Sequence, residues 1–280
     1  MNKTLAIFEL MRLDKPIGIY LLLWPALLAL VISTNGDFEY SHLLIIIIGS
    51  ILVRSAGCVI NDIWDKDLDG DVERTKNRPI PGKKLSIFES WAVFGTLGLF
   101  SLLLLSLTNT NTIFISLCFG LMIVLYPLTK RFFIGPQIFL GLTFNPTIIV
   151  YAMTNELNNP TMIFLYLAVA AKTIAFDSFY GLCDIEDDKK LGIHSTPLWW
   201  GSKTLLIIAI LQFAVISFLM VVGFKAELSS AWYIGIILLS GFYLYQHRLA
   251  SQKNFLLAFK NNHWASLYLL ILSIFCFLII

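Results

Sequence analysis

Charge is what this chain has least of. Of its 280 residues only 14% are Asp, Glu, Lys or Arg, while 58% are hydrophobic. A water-soluble domain carries roughly a quarter charged residues, so there are too few here to wet the surface of a globule this long. That excludes an ordinary soluble enzyme, and the apolar content excludes intrinsic disorder. Cysteine is equally sparse: Cys58, Cys118, Cys183 and Cys276 form no C-x-x-C pair. They build no disulfide framework and read as small packing residues. The four histidines are scattered and suggest no zinc site. A net charge of +2 gives no reason to expect a nucleic-acid partner.

What is present is apolar sequence in long runs. A helix that crosses a bilayer needs roughly 20 mostly apolar residues. Nine stretches approach this, at about 17–33, 43–63, 90–107, 113–126, 135–153, 161–182, 204–222, 229–246 and 263–280. The third and fourth come from one charge-free run, divided where Thr108, Asn109, Thr110, Asn111 and Thr112 cluster. The expectation is an all-α, multi-pass bundle of nine transmembrane helices around a central cavity, forming a single membrane-embedded domain over 1–280. With the N-terminus inside, every loop Lys or Arg except Lys225 falls on the cytoplasmic side, and the C-terminus falls outside. The first apolar stretch follows Lys3, Arg12 and Lys15 like a signal peptide, but it is too long and lacks a small-residue cleavage site. The start also lacks an Arg- and Ser-rich presequence, which points to a bacterial inner membrane.

Eleven of the 18 acids fall in two windows. One holds Asp62, Asp65, Asp67, Asp69, Asp71 and Glu73. The other holds Asp177, Asp184, Glu186, Asp187 and Asp188. For Asp67, Asp71, Glu73 and Glu186 a solvated loop is the simpler reading. Asn61, Asp65 and Asp69, however, are spaced by four and would stack on one helical face. Asp177, Tyr180, Asp184 and Asp188 follow at i, i+3, i+7 and i+11, a second stripe. Each column would repel itself unless a divalent ion were shared between them. Mg²⁺ suits such a place, because it prefers one or two carboxylates plus waters and phosphate oxygens to a closed protein cage. Asp65-x-Asp67-x-Asp69-Gly70 also begins like a calcium loop, but position twelve is Lys76 where a Glu is required.

Bases adjoin the acids: Arg74, Lys76 and Arg78 after the first window, Lys189 and Lys190 after the second, and Lys130 and Arg131 after the fourth stretch. Mixed signs on one side suggest a magnesium-bound polyanion such as a diphosphate. Lys76, Lys83, Lys84, Lys253 and Lys260 are better read as topology or lipid-contact charges. Arg54 sits inside an apolar helix, where its insertion costs roughly 2.5 to 3.5 kcal/mol. Seven residues before Asn61, it shares that face, and it pairs either with an anionic substrate group or with Asp177. Lys172 either snorkels or lines the cavity. A different class, a non-enzymatic ion or anion transporter, would also place charges in the membrane, but it has no need of two mixed acid-and-base mouths on one side.

Asn61-Asp62-x-x-Asp65-x-x-x-Asp69 resembles the first signature of the UbiA-type intramembrane prenyltransferases, and Asp177-x-x-Tyr180-x-x-x-Asp184-x-x-x-Asp188 resembles the second. Arg12-Leu13-Asp14-Lys15-Pro16-Ile17-Gly18, Trp24-Pro25, Arg54-Ser55-Ala56-Gly57-Cys58, Arg74-Thr75-x-Asn77-Arg78-Pro79-Ile80-Pro81 and Tyr126-Pro127-x-x-Lys130-Arg131 look like the 4-hydroxybenzoate polyprenyltransferase branch. The resemblance implies a nine-helix fold that holds Mg²⁺ and a polyprenyl diphosphate. It implies that Asn61, Asp65, Asp69, Asp184 and Asp188 serve the metal-diphosphate, with Arg78, Tyr126, Lys130 and Tyr180 around the phosphates. Arg54 and Asp177 would line the end that takes the aromatic acceptor, 4-hydroxybenzoate. A sister transferase with another quinone-ring acceptor would share all of these residues.

The expected chemistry is ionisation of an allylic C–O bond, with negative charge on the departing diphosphate stabilised by metal and cations. The ring carbon ortho to the phenol hydroxyl attacks the allylic cation and then loses its proton, Asp177 either accepting that proton or orienting the hydroxyl. Water would trap the cation, and an apolar bundle open to membrane lipid excludes it. Aromatic residues, at 14% of the chain, could line such a pocket, although most are better read as lipid-facing or interfacial.

Overall fold

The computed structural model describes residues 3–70 and 75–278, and within them every regular element is helical. In chain order these are α1 (Lys3–Leu10), α2 (Ile17–Ser33), α3 (Tyr40–Trp64), α4 (Lys66–Asp69), α5 (Ile87–Leu105), α6 (Thr110–Thr129), α7 (Pro136–Thr143), α8 (Thr147–Met153), α9 (Thr161–Gly181), α10 (Ile185–Leu191), α11 (Thr196–Trp200), α12 (Thr204–Lys225), α13 (Ser230–Ser251) and α14 (Phe255–Leu278). Asp71, Glu73 and Arg74 lie outside the described residues.

Among the described residues, six helical stretches are long and apolar enough to cross a membrane: α3, α5, α6, α9, α11 with α12, and α14. Helix α2 is apolar but has 17 residues. The polar cluster before α6 is a cap and not a wide loop. Asn109 accepts from the Thr112 backbone N–H at 2.9 Å, so the helix begins three residues earlier than its apolar run. Helix α14 likewise begins at Phe255, two turns before His263. Asn261 and Asn262 read as loop residues, yet Asn262 is 1% exposed and Asn261 accepts a 3.0 Å hydrogen bond from Gln246 of α13.

The stretch at 135–153 departs most from expectation, since it is two short helices, α7 and α8, separated at Phe144, Asn145 and Pro146. Pro146 lacks an N–H and disfavours a helical residue before it. Asn145 satisfies the interrupted backbone: its amide donates to the Tyr166 carbonyl at 2.9 Å and its oxygen accepts from the Thr147 N–H at 3.2 Å. Irregular backbone at this depth is tolerated because it is enclosed by protein, and Asn145 is almost fully buried.

Helix α9 is the axis of the bundle, packed against α2, α7, α8, α12 and α14. Its small residues, among them Ala168, Ala171 and Ala175, are buried and let neighbouring backbones approach. The main core joins Leu30, Ile32, Tyr151, Leu165, Leu219, Trp232 and Leu239. Helices α5 and α6 instead present Leu99, Phe100, Leu103, Phe114 and Leu121 outward, as lipid-facing helices do. Cys58 and Cys276 are interior as expected, whereas Cys118 and Cys183 are exposed.

Candidate active site

The C-terminal ends of α3, α6 and α9 bring the acidic windows and their cations to one end of the bundle. At the first window α3 stops at Trp64, but the hydrogen-bonding rhythm continues through Asp65. The Asp65 N–H donates to the Asn61 carbonyl at 2.9 Å and the Asp69 N–H to the Asp65 carbonyl at 2.8 Å. Asn61, Asp65 and Asp69 therefore stay on one face despite the change of helix, and the Asn61 amide donates to Asp65 Oδ2 at 3.2 Å.

This column does not repel itself, as expected of unpaired acids, because cations are built around it. Lys130, capping α6, donates to Asp65 Oδ2 at 3.1 Å. Arg78 Nη1 bridges two acids, lying 2.5 Å from Asp69 and 3.1 Å from Asp62. Arg12 Nη2 contacts both oxygens of Asp62, at 2.8 and 2.9 Å. Burial works against the Lys130 ammonium, but the Asp65 carboxylate outweighs it and holds the lysine pKa above its ordinary value. Asp65 Oδ1, in contrast, is buried without a hydrogen-bond partner among the described residues.

The second window is not one stripe. Helix α9 ends at Gly181, and the Cys183 and Asp184 N–H groups fold back onto the carbonyls of Tyr180 and Gly181 in a tightened turn. Asp184 then precedes α10, and the Asp188 N–H donates to its carbonyl at 2.8 Å. The expected i, i+3, i+7, i+11 face is thus broken between Tyr180 and Asp184. Spatial association survives, since Asp177 lies within electrostatic reach of Lys130, Arg54, Asp184 and Asp188. Tyr126 interacts electrostatically with Asp65 on one side and with Asp177 and Tyr180 on the other, as well as with Arg54. The end of α6 is also tied to the segment after the second window, where the His194 N–H donates to the Lys130 carbonyl at 2.9 Å.

Arg54 forms no ion pair with Asp177 closer than 4.0 Å among the described residues. Its guanidinium lies over the Phe144 ring, 5.5 Å from the centroid, and its Nε is buried without a hydrogen-bond partner. Gly18 of α2 makes this possible, because a Cβ there would stand 2.8 Å from Arg54 Nη2. The break between α7 and α8 is what puts Phe144 under the arginine. Lys172 settles away from the acids, bonded to Ser266 of α14. Lys84 is more than a topology charge, since it pairs with Glu9 at 2.7 Å. Asp67 and Glu186 are exposed, in keeping with the bland reading.

Sequence reasoning missed Asp62 as a structural centre. It is off the Asn61–Asp65–Asp69 face, 1% exposed, and paired with two arginines. The available signal was its place inside an otherwise apolar helical end, where an acid has to be paired.

No group of three or more His, Cys, Asp or Glu side chains converges into a closed metal cage among the described residues. The donors are oxygens, dispersed over two windows, with the Asp65 Oδ1 oxygen buried and unpaired among the described residues. That suits a hard cation which completes its shell with water and phosphate oxygens better than a metal held by protein alone.

The model of the UbiA prenyltransferase family matches residues 22–270. The chain belongs to that family. A UbiA relative named 4-hydroxybenzoate octaprenyltransferase from Alcanivorax borkumensis is 40% identical over 92% of this chain and 90% of its own length. A Pseudomonas aeruginosa protein of the same name is 39% identical over 92% and 89%. Among solved structures, the apo form of a UbiA homologue from Aeropyrum pernix superposes with a TM-score of 0.80 at 20% identity, covering 90% of this chain and 94% of that one. A UbiA homologue from Archaeoglobus fulgidus bound to GPP and Mg²⁺ gives 0.74 at 17% identity, covering 98% and 100%. The UbiA fold and an enzymatic rather than a transport role follow from this membership.

Proposed function

We propose that this UbiA-family enzyme transfers a polyprenyl group from polyprenyl diphosphate to the carbon ortho to the hydroxyl of 4-hydroxybenzoate, releasing diphosphate, with Mg²⁺ as cofactor. The carrying observation is the first acidic column with cations built against it, Lys130 at 3.1 Å from Asp65 and Arg78 at 2.5 Å from Asp69, with Asp177 and Arg54 within electrostatic reach of the same end. The names of the bacterial relatives favour this acceptor over another quinone ring.

In this reading Asn61, Asp65, Asp69, Asp184 and Asp188 would hold the metal. When bound, Mg²⁺ neutralises charge on the leaving diphosphate. Lys130 stays protonated beside Asp65, and with Arg78, Tyr126 and Tyr180 it receives phosphate oxygens. The allylic C–O bond breaks with its electron pair going to diphosphate, the ring carbon forms the new C–C bond, and the ring proton leaves. Arg54 holds the acceptor carboxylate against Phe144, and Asp177 faces the phenol. Apolar helix faces keep water from the cation. The chain is one domain that crosses a bacterial inner membrane nine times, α7 and α8 together making one crossing, with the N-terminus and the site on the cytoplasmic side and the C-terminus outside.

Membranes carrying the protein, given Mg²⁺, a polyprenyl diphosphate and labelled 4-hydroxybenzoate, should yield a lipid-extractable labelled aromatic. EDTA should abolish the product and added Mg²⁺ restore it. Product formation that persists under chelation, or label that stays in the aqueous phase with metal present, would reject the proposal.

A further inference from the structure

Helix α1 precedes the apolar runs, and the structure fastens it across the edge of the site. Ala6 and Leu10 are buried against Val59, Ile63, Ile80, Leu85 and Leu97. Lys84 reaches Glu9, and Lys3 reaches Glu89 at the start of α5. These contacts bind together the end of α3, the segment carrying Arg78 and the first turn of α5. Just beyond α1, Arg12 takes a left-handed backbone, with φ of 57°. Its Nη1 donates to the Glu9 carbonyl at 2.9 Å and its Nη2 to both oxygens of Asp62.

Asp62 is a buried carboxylate that two arginines share. A buried charge that loses one partner draws more strongly on the other, because leaving it unpaired is costly. Without Arg12, the remaining partner shown for Asp62 is Arg78, whose Nη1 is the same nitrogen that reaches Asp69. We infer that Arg12 is a positioning residue. By occupying Asp62 it keeps Arg78 extended to the Asp69 end of the first acidic column instead of captured by Asp62. The inference rests on the proposed diphosphate reading and goes beyond it by assigning a role to a residue outside both acidic windows.

The test compares the full-length wild type with Arg12→Ala, Arg12→Lys and Lys3→Ala, the last removing only an exposed ion pair. Binding of farnesyl thiodiphosphate with Mg²⁺ is measured by calorimetry, and KM is measured separately for polyprenyl diphosphate and 4-hydroxybenzoate. Arg12→Ala should weaken diphosphate binding and raise its KM by about tenfold, the equivalent of about 1.4 kcal/mol, with the acceptor KM within about twofold. Arg12→Lys should fall between, since lysine restores the charge without the planar fork. Added methylguanidinium should recover part of the Arg12→Ala loss, and Lys3→Ala should match wild type. If Arg12→Ala does not accumulate folded, Arg12→Lys carries the test, and in either background Asp62→Asn should bring the diphosphate KM back toward wild type, because the amide no longer draws Arg78 from Asp69. Wild-type diphosphate affinity in Arg12→Ala, a diphosphate KM that Asp62→Asn does not lower in the Arg12 variant, or an equal loss toward both substrates, overturns the inference. A wild type that fails to bind the thiodiphosphate overturns the underlying reading, and the inference with it.

Discussion

The two acidic windows carry similar spacing and are built differently. In the first, the backbone hydrogen bonds pass through Asp65 without a break, the acids stay in register, and Arg12, Arg78 and Lys130 neutralise them from three separate segments. In the second, the helix ends at Gly181 and restarts after Asp184, so Asp177 is carried by α9 and Asp188 by α10. One window is a charge-balanced ledge held in register, and the other is divided between α9 and α10. Similar spacing therefore does not mean similar geometry: backbone continuity decides which carboxylates share a face.

The largest test removes a carboxylate from each side. Asp65→Ala and Asp184→Ala should each lower kcat by about a thousandfold or more, read as product per enzyme at saturating substrates. A large loss at only one of them would break the two-sided picture. Next, Arg78→Ala should cost about a hundredfold in kcat/KM for the prenyl diphosphate. It also strips a partner from Asp62 and Asp69 together, so the same variant should melt earlier. Loss of activity with no change in Tm would separate the arginine from the balance of the ledge.

A smaller effect is expected at the acceptor end. Arg54→Gln should raise KM for 4-hydroxybenzoate by about tenfold, the cost of roughly one charge-assisted hydrogen bond, and leave that for the diphosphate nearly unchanged. The smallest lies outside both windows. Asn145→Ala removes the amide that bridges the break between α7 and α8 and should cost about 1 to 3 kcal/mol of stability, measured by thermal unfolding.

Much of this was legible in the residues. Apolar runs located the membrane helices, because burial in lipid leaves no choice of composition, and the four-residue spacing of Asn61, Asp65 and Asp69 carried through to the structure. Arg54 declared itself by being charged where charge is expensive. The remainder depended on features that spacing does not encode. The second stripe looked continuous because an isolated glycine such as Gly181 is tolerated inside many helices, and only the fold shows that this one ends α9 in a tightened turn. The break at Asn145-Pro146 had a visible proline, but whether the helix would bend or part depended on Tyr166 of another helix accepting from the asparagine. The Arg12–Asp62 contact spans 50 positions, a long-range pairing that no local periodicity could announce.

Gly18 has no functional group, yet under the proposed function acceptor size turns on it. The Arg54 side chain occupies the space a methyl group would claim on α2, so under that proposal a larger residue there would displace the cation and narrow the berth for the ring. Attempts to retune acceptor choice should therefore begin with the blandest residue in the neighbourhood and leave the charged ones alone.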